Sequence, residues 1–216
     1  MNRPYVIMQV GSSLDGKVAA RGGQETTISS KESFRILHGL RDGCDAVIVG
    51  RSTVETDDPR LTVREIERES NRQPLRVIFD SELRLKKTHK VFADDNFLVF
   101  CDEKLGKNEE RIVGIPRNAE GLSIAGALSA LSDRGIAKVL VEGGPTLWTS
   151  FLNAGAVDEI WWFQSPLVLG AQGVAALGDL GQGARAFMNA ESHESESFQI
   201  DRDTLTIMRK RFGLST

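Results

Sequence analysis

At 216 residues, with 40% hydrophobic and 26% charged side chains, the chain has the size and balance of one substantial α/β domain, which excludes the disordered and fibrous classes. Lys and Arg total 27 against 30 Asp and Glu, a formal charge of −3 with no run of five or six like charges, which disfavours nucleic acid as a partner. No stretch reaches the roughly 20 apolar residues of a membrane span, and the first ten residues are too short an apolar run for a signal peptide, so a cytoplasmic protein is expected.

Taken in chain order, the first predicted strand covers 5–10 and runs into Gly11-Ser12-Ser13-Leu14-Asp15-Gly16-Lys17. Two glycines there bracket a sharp turn at a strand's carboxyl end, which is either a plain turn with a solvated Asp-Gly or a ligand contact. A helix is predicted over 30–41: Phe34, Leu37 and Leu40 recur at helical spacing as an inward face. Ser29-Ser30-Lys31-Glu32 ahead of it has capping-box form, and Gly43 offers a left-handed stop. Cys44 and Cys101 read as small buried hydrophobes, with no disulfide and no zinc site expected.

The strand predicted over 46–49 ends in Gly50 and leads into Arg51-Ser52-Thr53-Val54-Glu55-Thr56-Asp57-Asp58-Pro59. A short helix here can offer open amides, and Thr53 a hydroxyl, to a phosphate or nicotinamide group. Asp57 and Asp58 are adjacent carboxylates at a helix end, where the dipole disfavours them unless something compensates; Asp58 before Pro59 reads as a cap or turn residue. Further strands are expected over 75–79, 97–101, 139–141 and 159–163. A helix over 123–134 should turn Ala125, Leu128 and Leu131 inward, and another is written by Leu147, Trp148, Phe151 and Leu152, with Pro145 in its first turn and Gly155 past its end.

Between strand and helix lies Glu142-Gly143-Gly144-Pro145-Thr146-Leu147, where amides unblocked by side chains point out of the helix start and suit a pyrophosphate. Glu142 must hydrogen-bond to amides or meet a polar substrate, because a buried, unpaired carboxylate is costly. A purely structural Gly-Gly is the alternative. The tail over 197–212 alternates at Leu205 and Ile207 as an antiparallel edge hairpin does, while 64–73, 103–111 and 178–196 read as loops within a single domain spanning 1–216. Strands alternating with helices imply a mostly parallel central sheet with flanking helices. The sequence has no G-x-G-x-x-G after a strand, no P-loop and no G-x-S-x-G, which excludes an ordinary Rossmann domain, a P-loop enzyme and an α/β hydrolase. His38, His89 and His193 stand in no metal-like spacing, so no metal is expected and each reads as a surface or helix-packing residue.

Taken together, Ser13-Leu14-Asp15-Gly16-Lys17, Asp45 to Gly50, Thr53-Val54, Asp57 through Arg64, Pro74 to Ile78 with Asp80-Ser81, Val141 to Leu147, Val157-Asp158-Glu159 and Pro166 to Gly170 resemble the reductase domain of bacterial bifunctional riboflavin-biosynthesis proteins and the stand-alone pyrimidine reductases of that family. The resemblance covers nearly the whole chain. It implies a dihydrofolate-reductase-like fold, NADPH as hydride donor and a ribosylaminopyrimidine 5′-phosphate whose ribosyl group becomes ribityl. It also implies roles. Thr27, Gly50, Thr53, Asp57, Ser81, Gly143, Gly144, Pro145, Thr146 and Leu147 would hold the cofactor. Gln9, Arg41, Leu61, Arg64 and Glu142 would meet the substrate, and Glu142 and Asp57 would be catalytic.

Arg84, Lys86 and Lys87 carry charge near Ser81 and so could reach the 2′-phosphate of NADPH. Thr27 and Gln9 depart from the side chains many relatives have there. The H-x-E and P-C-x-x-C zinc signature of the deaminase half is missing from the sequence, so another protein is expected to supply deamination. Family members pair as homodimers, and Trp161-Trp162-Phe163 fits either an aromatic interface patch or core packing. Two other readings remain open: a paralogue reducing a pterin or folate, and a non-catalytic nucleotide-binding subunit.

Overall fold

The computed structural model describes residues 3–20, 27–67, 71–105 and 109–211. Phe212, the expected end of the C-terminal hairpin, and the middles of the loops over 64–73 and 103–111 lie outside the described residues. The strands are β1 (Tyr5–Ser12), β2 (Lys17–Ala19), β3 (Ala46–Gly50), β4 (Leu75–Phe79), β5 (Phe97–Asp102), β6 (Ile112–Ile115), β7 (Arg117–Asn118), β8 (Gly121–Leu122), β9 (Lys138–Gly143), β10 (Glu159–Gln164), β11 (Val174–Ala175), β12 (His193–Ile200) and β13 (Asp203–Lys210). The helices are α1 (Lys31–Asp42), α2 (Arg51–Asp57), α3 (Ile124–Ser132), α4 (Pro145–Asn153) and α5 (Arg185–Met188).

Among the described residues the central sheet has the order β12-β13-β10-β1-β9-β3-β4-β5-β6. From β10 to β6 every pairing is parallel, and β13 joins β10 antiparallel, with Phe163 opposite Leu205 and Trp161 opposite Ile207. A mostly parallel sheet is covered on both faces, which is why β3 and β4 are almost continuously apolar. Alternate side chains go to opposite layers. Val6, Met8, Ile48, Val77 and Phe100 meet α3 and α4 through Leu128, Leu131, Phe151 and Leu152; Ile7, Val47, Val49, Ile78 and Leu140 meet Leu37 of α1 and Val54 of α2.

Several local expectations are corrected. The cap of α1 is Ser30, whose side chain accepts from the Ser33 amide, one residue later than the capping-box register. Gly43 stops the helix at φ −81°, so no left-handed turn is made there. Phe34 is 45% exposed, because its side of α1 borders a cleft rather than the core. Ala125 faces out, and Ile124 and Ala127 take the inner face of α3 with Leu128 and Leu131. The hairpin begins at His193, and β6 extends the sheet at 112–115, where no strand was expected. Phe163 is buried and Trp161 and Trp162 are half-buried against the core clusters, so all three contribute to core packing.

Candidate active site

A cleft of about 640 Å³ opens over the carboxyl ends of β1, β9 and β3, where the sheet's connections diverge and open α/β sheets place their ligands. A second cavity of about 270 Å³ adjoins it, and the two share Ser52, Gly144 and Thr146. The first is walled by Gln9, Thr27, Arg41, Thr53, Asp57, Leu61, Glu142, Gly144, Pro145 and Thr146. The second is walled by Gly50, Ser81, Gly143, Gly144, Thr146 and Leu147. Of the site residues expected from the sequence, all lie on one wall or the other except Arg64, which is exposed and donates to the Thr62 hydroxyl at 2.9 Å, and the 2′-phosphate candidates Arg84, Lys86 and Lys87, which line neither cavity.

The wall between the cavities is built from backbone. Gly144 caps α4 at φ 102°, in the region that favours glycine, and no side chain caps the helix. A methyl group there would lie 2.8 Å from the Thr53 hydroxyl oxygen, and one on Gly143 would lie 3.1 Å from Leu147. Two glycines thus keep the mouth of α4 open, with its first-turn amides and positive dipole end turned to the wall, an arrangement that fits an anionic group such as a pyrophosphate. Thr53 Oγ1 donates to the Gly143 carbonyl at 2.6 Å, so this hydroxyl locks α2 to β9.

Glu142 enters the cleft through an irregularity in the sheet. Ile48 pairs with Val141 and Val49 with Gly143, so Glu142 is the extra residue of a bulge, a device that re-aims a side chain. Its carboxylate meets Arg41 in a fork: Nε to Oε1 at 2.6 Å and Nη2 to Oε2 at 2.7 Å, with both side chains less than a tenth exposed. Arg41 Nη1 also donates to the Thr62 carbonyl at 3.0 Å. Three of the five guanidinium N–H groups are committed, which leaves at most two for a ligand. Each carboxylate oxygen keeps lone-pair capacity for a donor on a bound molecule.

Asp57 ends α2 on the exposed side of the cleft. Asp58 follows it as the left-handed cap at φ 40°, and the compensation its charge requires comes from the Lys90 ammonium at 3.1 Å and amide at 2.9 Å. Those hydrogen bonds, the Lys90 amide's first, hold the Asp58 carboxyl below its ordinary range. Leu61 adopts φ 53° while 2% exposed, a strained backbone for a branched side chain on the cleft wall. Asp15 accepts from Ser13 and from the amides of Leu169 and Gly170, which makes the Asp-Gly turn a staple between loops.

Residues the sequence reading passed over also line the cavities: Phe34, Thr56 and Trp148 in the first, Arg51, Ser52 and Leu122 in the second. Arg51 is the cation at the Ser81 end, with Nη1 3.2 Å from Glu82. Its place as the first residue of α2, directly after Gly50, was the available signal. Arg84 instead pairs with Glu82 at 2.9 Å, and the Lys87 ammonium lies over the Phe92 and Phe97 rings. Burial pushes the Cys44 thiol up to about 12, in keeping with an inert core residue.

Comparison with known proteins matches residues 4–205 to the model of the RibD C-terminal domain. The 2,5-diamino-6-ribosylamino-4(3H)-pyrimidinone 5′-phosphate reductase of Methanothermobacter thermautotrophicus is 36% identical, over 94% of this chain and 96% of that protein. The riboflavin biosynthesis protein RibD of Aquifex aeolicus is 38% identical over 83% of this chain but only 50% of its own length. In solved structures, Acinetobacter baumannii RibD superposes with a TM-score of 0.81 at 27% identity, covering 98% of this chain and 59% of that one. The chain thus spans about half of the RibD proteins and nearly all of the archaeal reductase.

Proposed function

The chain belongs to the RibD C-terminal domain family, and from that premise we propose that it is an NADPH-dependent reductase converting the ribosyl group of a ribosylaminopyrimidine 5′-phosphate to ribityl. The observation that carries the reading is the pair of adjoining cavities joined across Gly144, with the Glu142–Arg41 pair beside the larger one. That shape suits a dinucleotide laid across the α4 mouth, its adenosine end toward Ser81 and Arg51 and its nicotinamide end in the cleft with the substrate.

NADPH, when bound there, supplies the hydride. The sugar C1′, as an open-chain imine, gains that hydride while its nitrogen gains a proton, so the protein's work is positioning and charge placement. Gly143, Gly144 and the first turn of α4 hold phosphate, and Thr53 fixes the wall they form. Glu142, its orientation set by Arg41, accepts hydrogen bonds from the substrate, and Asp57 on the exposed wall has the access to water that proton exchange needs. Arg64 is the guanidinium that meets the sugar phosphate, since the fork of Arg41 is already engaged. Homodimer assembly and a cytoplasmic location belong to the same reading; among the described residues no helix is long and apolar enough to cross a membrane.

The test is NADPH oxidation followed with the undeaminated diaminopyrimidinone and the deaminated uracil substrates, with dihydrofolate as control. Turnover of either pyrimidine and none of dihydrofolate is expected. Tight NADPH binding with neither pyrimidine consumed overturns the assignment.

A further inference from the structure

Three consecutive residues beside the larger cleft are each held by a side chain from elsewhere in the chain. The Thr62 carbonyl accepts from Arg41 Nη1 at 3.0 Å. Val63 donates its amide to Gln73 Oε1 at 2.7 Å and accepts from Gln73 Nε2 at 3.3 Å. The Arg64 amide donates to His38 Nδ1 at 3.1 Å. His38 and Arg41 stand one turn apart on α1, so a single helix face grips both ends of the segment. The segment follows Leu61, whose φ of 53° is a conformation that persists only where its surroundings enforce it.

His38 is 2% exposed, and burial, followed by the charges of Arg41 and Arg64, pushes its imidazole down to about 4. The ring is therefore neutral at neutral pH. A main-chain N–H can only donate, so Nδ1 is the acceptor and the proton sits on Nε2. Core packing alone does not require this contact, because an apolar side chain could fill the space; an imidazole accepting from a residue 26 positions away fixes where that residue stands.

We infer that His38 is a positioning residue, which acts through the main chain of Arg64 to set the guanidinium that binds the phosphate of the substrate. The inference rests on the assignment of Arg64 to the phosphate under the proposed function. His38 itself lines neither cavity.

Asn and Gln separate this role from packing. Asn Oδ1 is bonded to Cγ as Nδ1 is and can still accept from the Arg64 amide, whereas the Gln oxygen stands one bond farther out. In steady-state assays with the phosphorylated pyrimidine, His38→Leu and His38→Gln should raise KM about tenfold, the scale of one buried donor left unpaired, with kcat and the KM for NADPH within about twofold. His38→Asn should return KM to within about threefold of the parent, and in an Arg64→Ala background His38→Gln should add less than about twofold. Full multiplication of the Arg64→Ala and His38→Gln effects overturns the inference, as does an Asn variant no better than Gln.

Amide hydrogen exchange keeps the inference testable if the parent enzyme consumes neither pyrimidine, in which case the proposed reaction fails on its own. Faster exchange at Arg64 in His38→Gln, and parent-like exchange in His38→Asn, supports the positioning contact. Unchanged protection at Arg64 in both variants overturns it.

Discussion

The Thr53 hydroxyl donates to the Gly143 carbonyl oxygen across 2.6 Å and also stands where a side chain on Gly144 would have to go. One hydroxyl thus ties the first turn of α2 to the end of β9 and sets the gap through which the mouth of α4 reaches the cleft. These residues are 90 positions apart, and the reading of the site depends on their meeting.

Gly144→Ala places a methyl group 2.8 Å from Thr53 Oγ1 and forces a non-glycine residue to φ 102°. Strain of about 1–3 kcal/mol at this one position, relieved by displacing the mouth of α4, should weaken NADPH binding by about fivefold or more. Calorimetric titration with NADPH checks it, and an unchanged dissociation constant contradicts the proposed cradle.

The Arg41–Glu142 pair is buried, so removing either partner leaves an uncompensated charge. Arg41→Met or Glu142→Leu alone should lower stability by about 3–5 kcal/mol, while the double variant should lose much less than the sum. Urea unfolding of all four proteins measures the coupling, and simple additivity contradicts a paired, buried role.

His38 also gives stability a pH dependence. Its imidazole is pushed down to about 4 in the fold from an ordinary 6.5, so between those values the unfolded chain binds a proton that the folded chain does not. Stability contributed by the neutral ring is complete above pH 6.5 and is lost as pH falls toward 4. In this window stability should rise with pH by at most about 1.4 kcal/mol per unit on account of His38 alone. Urea midpoints between pH 4.5 and 6.5 should show a shallower slope in His38→Leu than in the parent, and identical slopes contradict the depressed value.

Much of the fold was legible because buried parallel strands are apolar runs: β1, β3, β4, β5, β9 and β10 all lie where β-branched or aromatic residues cluster. The misses have physical reasons. β12 reads His193-Glu194-Ser195-Glu196 at its start because it is an edge strand with almost every side chain exposed, and β6 is short and only partly buried. Helical spacing marked Phe34 but could not tell a core-facing stripe from one bordering a cleft. The glycines and Thr53 were visible as motifs. The bulge at Glu142, by contrast, is a property of pairing with β3, and the partners of His38 and Asp203 lie 26 and 170 or more residues away.

Asp203 is fully buried at the start of β13, where Oδ2 accepts from the Ser30 amide and the Ser33 hydroxyl, both at 2.7 Å. It therefore pins the amino end of α1, the helix that carries Phe34, Leu37 and Arg41 to the cleft. Asp203→Ala should cost about 2 kcal/mol, seen as a fall in Tm of about 4–8 °C. A melting temperature within a degree of the parent contradicts the anchor.

The most direct measurement is transfer of label from NADPH carrying two deuterium atoms at C4 of the nicotinamide to the phosphorylated pyrimidine, with the product read by mass spectrometry and NMR. One deuterium at C1′ of a ribityl group is the predicted result. A product without label at that carbon, or no reduced sugar at all, contradicts hydride delivery in the cleft between Thr53 and Glu142.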